Sequence, residues 1–190
     1  MSRHELARSA NLTREETAAR AAAITLDTVD VALDLRGAAD LTEASFSTMS
    51  TLVFRSTASE TWVDFLGATV EAVVVNGEER PVEWDGARVR LTGLVEHNIV
   101  TVRARGLFST SGEGLHRFRD PVDGQVYLYT QYEPADCRRV YACFEQPDLK
   151  ARWRFQVAAP QGWTVLSNGA EESRHERDDG VRVTFRETLP

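Results

Sequence analysis

The chain has 190 residues, 42% hydrophobic and 27% charged, a balance that suits a folded globular protein and excludes a disordered one. A formal charge of −7 and an isoelectric point near 5.2 argue against nucleic acid as a partner, because phosphate binding depends on basic patches that release counterions. The sequence has neither an apolar run of about eighteen residues nor a leader-like apolar stretch near its start, so the expectation is a cytoplasmic protein with no membrane partner. In that compartment Cys137 and Cys143 read as reduced thiols, and Asn11-Leu12-Thr13 as a chance glycosylation triplet.

In chain order, Thr13 with Glu16 three residues on forms a capping box before an alanine-rich run, which predicts a helix over about 14–23. The period then changes to two. Val29, Val31, Leu33 and Leu35 alternate with Asp30, Ala32, Asp34 and Arg36, as in a half-buried strand. Further strands are expected near 46–55, 61–66, 70–75, 87–92, 98–105, 125–132, 152–158, 163–167 and 181–187. Asn76-Gly77, Asp85-Gly86, Asp123-Gly124, Asn168-Gly169 and Asp179-Gly180 supply the positive φ that tight hairpins require. The stretch FSTSGEG at 108–114 reads as an exposed loop. With no βαβ rhythm, the pattern favours an antiparallel, mostly two-layer β domain. The chain stops at VTFRETLP as a strand leads onward, and is expected to continue in the intact protein.

Few residue groups offer chemistry. His4-Glu5-Leu6-Ala7-Arg8 and His175-Glu176-Arg177-Asp178-Asp179 each lack the second histidine that a zinc-binding H-E-x-x-H helix needs on one face. His97 and His116 stand alone, at a strand edge and in a loop. Gly112-Glu113-Gly114 is a bend rather than a phosphate cradle, since it lacks the third glycine and a following helix. Arg138 and Arg139 beside Cys137 would be placed to depress a thiol pKa, although free cysteine is more commonly a small buried hydrophobe. Gln131 and Glu133 are different. Two apart at a strand end, they project from one face, and Pro134 ends the ladder beside them. A carboxylate and an amide aimed together can hold a cationic amine and a peptide group.

Residues 92–169, and within them GLHRFRDPVDGQVYLYTQYEPADCRRVYACFEQPDLKA, resemble the N-terminal domain of aminopeptidase N and its relatives, the zinc aminopeptidases, in their bacterial, actinobacterial-like form. The most specific positions are Thr130-Gln131-Tyr132-Glu133, Ala135, Arg138-Arg139, Cys143 and Pro147. Cys137 stands where a small apolar residue is usual, and FEQPD where many relatives carry an Asp-Glu pair before proline. The resemblance implies a mainly β fold, a saddle-shaped antiparallel sheet or sandwich with a short N-terminal helix, filling 1–190 and truncated before a catalytic zinc domain. It implies that Glu133 binds the free α-amino group of a peptide substrate and that Gln131 lies beside the first side-chain pocket. It also implies zinc held by ligands outside this chain, with no catalytic residue and no cofactor in the fragment itself. The expected partners are peptides with a free N-terminus and the chain's own catalytic domain, which the segment from Tyr141 to Phe144 would face. A different class of reading is a β-sandwich interaction module, with Trp62, Trp84, Trp153 and Trp163 as an aromatic platform for carbohydrate; the alternation of Trp153 with Phe155 and Val157 favours a core-facing strand instead.

Overall fold

The structure, a computed structural model, describes residues 11–190. The His4–Arg8 pattern lies outside the described residues. Helix α1 spans Arg14–Ala23, closed at its start by the expected capping box: Thr13 Oγ1 accepts from the Glu16 amide at 3.2 Å, and the Glu16 carboxylate accepts from the Thr13 amide at 2.8 Å. Two hydrogen bonds from Arg88, at 2.6 and 3.0 Å, hold the Glu16 carboxyl down to about 2, so this clasp persists well into the acid range and loosens only as pH falls towards that value.

Twelve strands follow among the described residues: β1 Ile24–Asp34, β2 Ser45–Ser56, β3 Glu60–Asp64, β4 Thr69–Val75, β5 Glu78–Arg80, β6 Arg88–Thr92, β7 His97–Leu107, β8 Gly114–Arg119, β9 Val126–Gln131, β10 Arg152–Ala159, β11 Glu171–Arg177 and β12 Gly180–Phe185. Eight of them form one sheet in the order β11-β12-β10-β1-β2-β7-β4-β5, while β3-β6 and β8-β9 form two-stranded sheets. The large sheet is mixed. β1 pairs parallel with β10, Val29 opposite Trp153, and the rest is antiparallel. A parallel pair needs a long crossover, and here everything from β2 to the end of residue 151 supplies it.

One face of the large sheet carries the core. In β1 a register shift between Leu26 and Thr28 leaves Asp27 unpaired, which lets Ile24 and Leu26 share the buried face with Val29, Val31 and Leu33 despite the odd spacing. Phe46, Leu52 and Phe54 of β2 and Val100 and Val102 of β7 complete that face. The two small sheets and the segment from Val140 to Phe144 close over it in a single hydrophobic cluster, with Phe144 edge-on to Phe54 at 5.4 Å. Tyr141, Ala142, Cys143 and Phe144 are thus core residues, which overturns the expectation that they form an exposed docking face. The segment binds this way because its backbone pairs with the last residue of β3 and with the chain just after it: the Asp64 amide donates to the Cys143 carbonyl at 2.7 Å, and the Leu66 amide to the Arg138 carbonyl at 2.7 Å.

A buried ion pair fixes the junction of α1, β3 and this segment. Arg20 Nη1 lies 2.9 Å from Asp64 Oδ2, both side chains fully excluded from solvent. The same oxygen accepts from the Glu145 amide at 3.0 Å, and Arg20 Nε donates to Gln146 Oε1 at 2.9 Å. Arg20 is the buried residue of α1, so the helix is docked by charge more than by apolar surface.

Three strands escape the sequence pattern. β11 is polar on both faces, and as the sheet's edge it has little apolar surface to bury; His175 sits exposed on it. β8 hides its alternation because the inward residue after Leu115 is Arg117, whose guanidinium caps the Phe108 ring at 4.1 Å and donates to the carbonyls of Asp40 and Leu41. His116 is accordingly on a strand. β5 has only three residues, paired with β4 through the Asn76-Gly77 turn, whose φ values of 53° and 85° suit a tight hairpin. Conversely, 163–167 forms no strand: Trp163 and Val165 turn inward, but no neighbouring strand pairs with them. Gly169 supplies no positive φ, so Asn168-Gly169 is not a hairpin turn; a Cβ there would lie 2.3 Å from the Arg186 carbonyl oxygen.

Cys137 and Cys143 are both free. Burial, reinforced by the Glu145 carboxylate, pushes the Cys137 thiol up to about 12 and raises that of the buried Cys143. Desolvation prevails at both thiols, so they are the small buried apolar groups that free cysteines more commonly are, not activated nucleophiles.

Two outcomes are expected. Asp64→Ala leaves Arg20 charged and unpaired in the core and should cost about 3–5 kcal/mol, whereas Asp64→Ala with Arg20→Met should recover much of the loss; denaturant titration checks both, and an additive double variant would contradict the pairing. Alkylation of either cysteine at neutral pH should be slow in the native protein and fast in denaturant, followed by mass spectrometry. Rapid native labelling would contradict the burial argument.

Candidate substrate-facing site

The hairpin β8-β9 sorts its residues by parity. Leu115 and Arg117 on β8 and Leu128 on β9 face inward, while His116, Phe118, Tyr127 and Tyr129 face outward. The outward rings form a ladder: His116 stands 4.8 Å from Tyr129 and Phe118 5.7 Å from Tyr127. Phe118, Tyr127 and Tyr129 are 40–50% exposed. Gln131, opposite Gly114, ends the strand on this outward face.

Beyond Gln131 the alternation persists for two more residues. Tyr132 turns inward against Tyr141, ring centroids 5.8 Å apart, and Tyr141 in turn contacts Trp153 and Phe155 at 5.7 and 5.9 Å. Burial raises both phenols far above their ordinary range, so they act here as neutral packing groups. Glu133, joined to Pro134 by a cis peptide bond, is exposed like Gln131. Neither side chain hydrogen-bonds or ion-pairs with another described residue, so both are open to a ligand. The Asp136 amide donates to the Tyr132 carbonyl at 2.8 Å and closes the turn that carries Glu133.

A sizeable groove lies elsewhere. About 530 Å³ in volume, it runs beneath the inward face of the hairpin, between Leu128, Phe155 and Trp163, and neither Gln131 nor Glu133 lines it. The two site residues therefore stand on open surface, with Tyr132 reaching from between them into the groove wall.

The tryptophans do not share one platform. Trp62 and Trp84 line a depression with Arg88 and Arg90, Trp62 carrying the guanidinium groups of Arg20 and Arg88 at 5.2 and 5.0 Å from its ring. Trp153 stacks on Phe155, and Trp163 lines the groove under the hairpin. Among the described residues no three His, Cys, Asp or Glu side chains are grouped to hold a metal ion, so these residues do not fit a zinc centre. His97, exposed at the start of β7, lies 3.8 Å from Glu96 alone. No helix among the described residues is long and apolar enough to cross a membrane.

Sequence reasoning missed the residues that pin the turn after Glu133. Arg139 Nε donates to Asp136 Oδ1 at 2.6 Å, and another of its nitrogens lies 3.4 Å from Glu113. The Asp136/Arg139 spacing of three was a readable signal, since one turn of 3-10 helix brings such residues together.

Residues 34–190 match the family model described as the Peptidase M1 N-terminal domain. Aminopeptidase N of Streptomyces lividans is 45% identical over 163 residues, 83% of this chain and 19% of that protein. Human glutamyl aminopeptidase is 30% identical over 63% of this chain and 12% of its own length. The chain thus spans about a fifth or less of these relatives. An M1 zinc metallopeptidase from Deinococcus radiodurans shares the fold with a TM-score of 0.69 at 20% identity, over 86% of this chain and 38% of that one. A mutant of the same enzyme, solved with a Tyr-Ser-Ala substrate, superposes with a TM-score of 0.67. The match over most of its length, with the Streptomyces relative beside it, makes this chain a member of the M1 peptidase N-terminal domain family.

Proposed function

We propose that the chain is the N-terminal domain of a zinc-dependent aminopeptidase, occupying 1–190 ahead of a separate catalytic zinc domain, and that Gln131 and Glu133 border the cleft between the two. Zinc in that enzyme would supply a Lewis acid and an activated water; its ligands belong outside the described residues, which offer no such cluster. The work of this chain is to hold the substrate. Glu133 takes the free α-amino group as a charge-assisted partner, and Gln131 offers its amide beside the first side chain. The observation that carries the reading is the outward, unpartnered pair at the end of β9, held apart by a buried Tyr132, in a family whose relatives include aminopeptidases. The reading includes peptide substrates with a free N-terminus, a role in peptide catabolism and a cytoplasmic location.

The strength of the contact depends on water. An exposed ion pair contributes about 0.2–1 kcal/mol, whereas losing one partner in a desolvated cleft costs about 2–5 kcal/mol. Glu133 is exposed in this chain alone, so an amino-acid ester should bind it more weakly than roughly millimolar. In the full-length enzyme Glu133→Gln should lower kcat/KM by about ten-fold or more, or at least about 1.4 kcal/mol. Gln131→Ala should instead reorder the preference among first residues. A panel of aminoacyl amides measures both, and unchanged kinetics for Glu133→Gln would reduce that carboxylate to a solvated strand end.

A further inference from the structure

The outward face of the hairpin has a gap opposite Gln131. Residues directly opposed in an antiparallel pair project to the same side, and Gln131 faces Gly114, which has no side chain. A Cβ built on Gly114 would lie 2.8 Å from Arg139 Cβ and 3.3 Å from its Cδ. The stem of Arg139 therefore fills the space that Gly114 leaves, beside Gln131 and on its face. Glycine is needed there twice over, for this approach and for a φ of +64°.

From that seat the guanidinium reaches both sides of the site. Its Nε bonds Asp136 at 2.6 Å, in the turn that carries Glu133, and a second nitrogen lies 3.4 Å from Glu113, in the loop that leads into β8. Asp136 is only 13% exposed, and the Arg139 amide also donates to its carbonyl at 3.1 Å. The fork thus ties the two segments together beyond the Gly114–Gln131 end of the β8-β9 ladder. Its charge is opposed by Asp136 and Glu113, so the surface around Glu133 stays acidic and open to an ammonium group.

We propose that Arg139 is a positioning residue for amine recognition: seated over Gly114 and clamped to Asp136 and Glu113, it holds the Gln131–Glu133 turn in the geometry that receives the substrate's N-terminus. The inference rests on the assignment of Gln131 and Glu133 to substrate binding. Electrostatics alone predicts the opposite effect, because removing a cation near Glu133 would strengthen its attraction for an amine. The sign of the change therefore separates positioning from charge.

The test uses the full-length enzyme and a series of aminoacyl amides. Arg139→Met keeps an apolar stem over Gly114 without the fork and should raise KM by about three- to ten-fold while kcat stays within about two-fold. Arg139→Lys, which retains one ionic contact, should recover part of the loss, and Asp136→Asn should add little to Arg139→Met because both break one link. Thermal midpoints measured alongside confirm that each variant is folded at the assay temperature. An unchanged or lowered KM in Arg139→Met, with Glu133→Gln still impaired, overturns the positioning role and leaves the substrate-binding pair intact. Wild-type behaviour of Glu133→Gln overturns both.

Discussion

The buried pair of Arg20 and Asp64 is the constraint on which the arrangement of this domain depends. Removing two charges from water costs several kcal/mol per ion, and attraction offsets that cost only when geometry and further hydrogen bonds are good. Here Asp64 also receives the Glu145 amide, and Arg20 also donates to Gln146. The result is directional rather than adhesive. A hydrophobic contact tolerates sliding, but this pair fixes the position of α1 against β3 and of the segment after Arg139 against both. Cation–π contact of Arg20 with Trp62 and Phe144, at 5.2 and 5.4 Å, covers the remaining faces of the guanidinium.

That junction reaches the candidate site through the backbone. Asp64 and Leu66 hold Cys143 and Arg138, so the end of β3 serves as a template for the segment that returns from the hairpin. Arg138 is buried in this lock, its amide donating to Glu145 at 2.7 Å and its guanidinium to Asn11 at 2.9 Å, whereas Arg139, the next residue, turns outward to the turn carrying Glu133. Adjacent arginines thus divide two tasks, one anchoring the segment and the other bracing the surface it supports. Burial of Glu145 raises its carboxyl, with Arg138 opposing that shift, so the anchoring acid lies closer to neutrality than an exposed glutamate.

The hairpin β8-β9 is held by only one of its faces. Inward, Leu115 is buried and Arg117 is fastened to Phe108 and two carbonyls; outward, an aromatic ladder and a polar pair remain uncovered. A two-stranded sheet has little stability alone, so its inward anchors fix its placement while the outward face stays available for recognition. In the large sheet, the edge strand β11 is polar on both faces, a composition that discourages further strand addition.

The sequence by itself determined what depends on neighbours close along the chain. The capping box at Thr13 and Glu16 set the start of α1, the alternation of Val29, Val31 and Leu33 set the buried face of β1, and parity placed Gln131 and Glu133 on one side of Tyr132. Such signals are legible because helical caps and strand periodicity act within a few residues. Tertiary structure alone decided the parallel pairing of β10 with β1, the burial of Tyr141 to Phe144, the separation of the four tryptophans, and the strand at Arg117 that charge had disguised. It also decided that the arginines after Cys137 do not activate its thiol, since desolvation prevails there. Each of these turns on which residues, distant in sequence, exclude water from a given side chain. No local period encodes that exclusion, because the same arginine is a solvated charge in one setting and, like Arg20 against Asp64, the fixed point of a core in another.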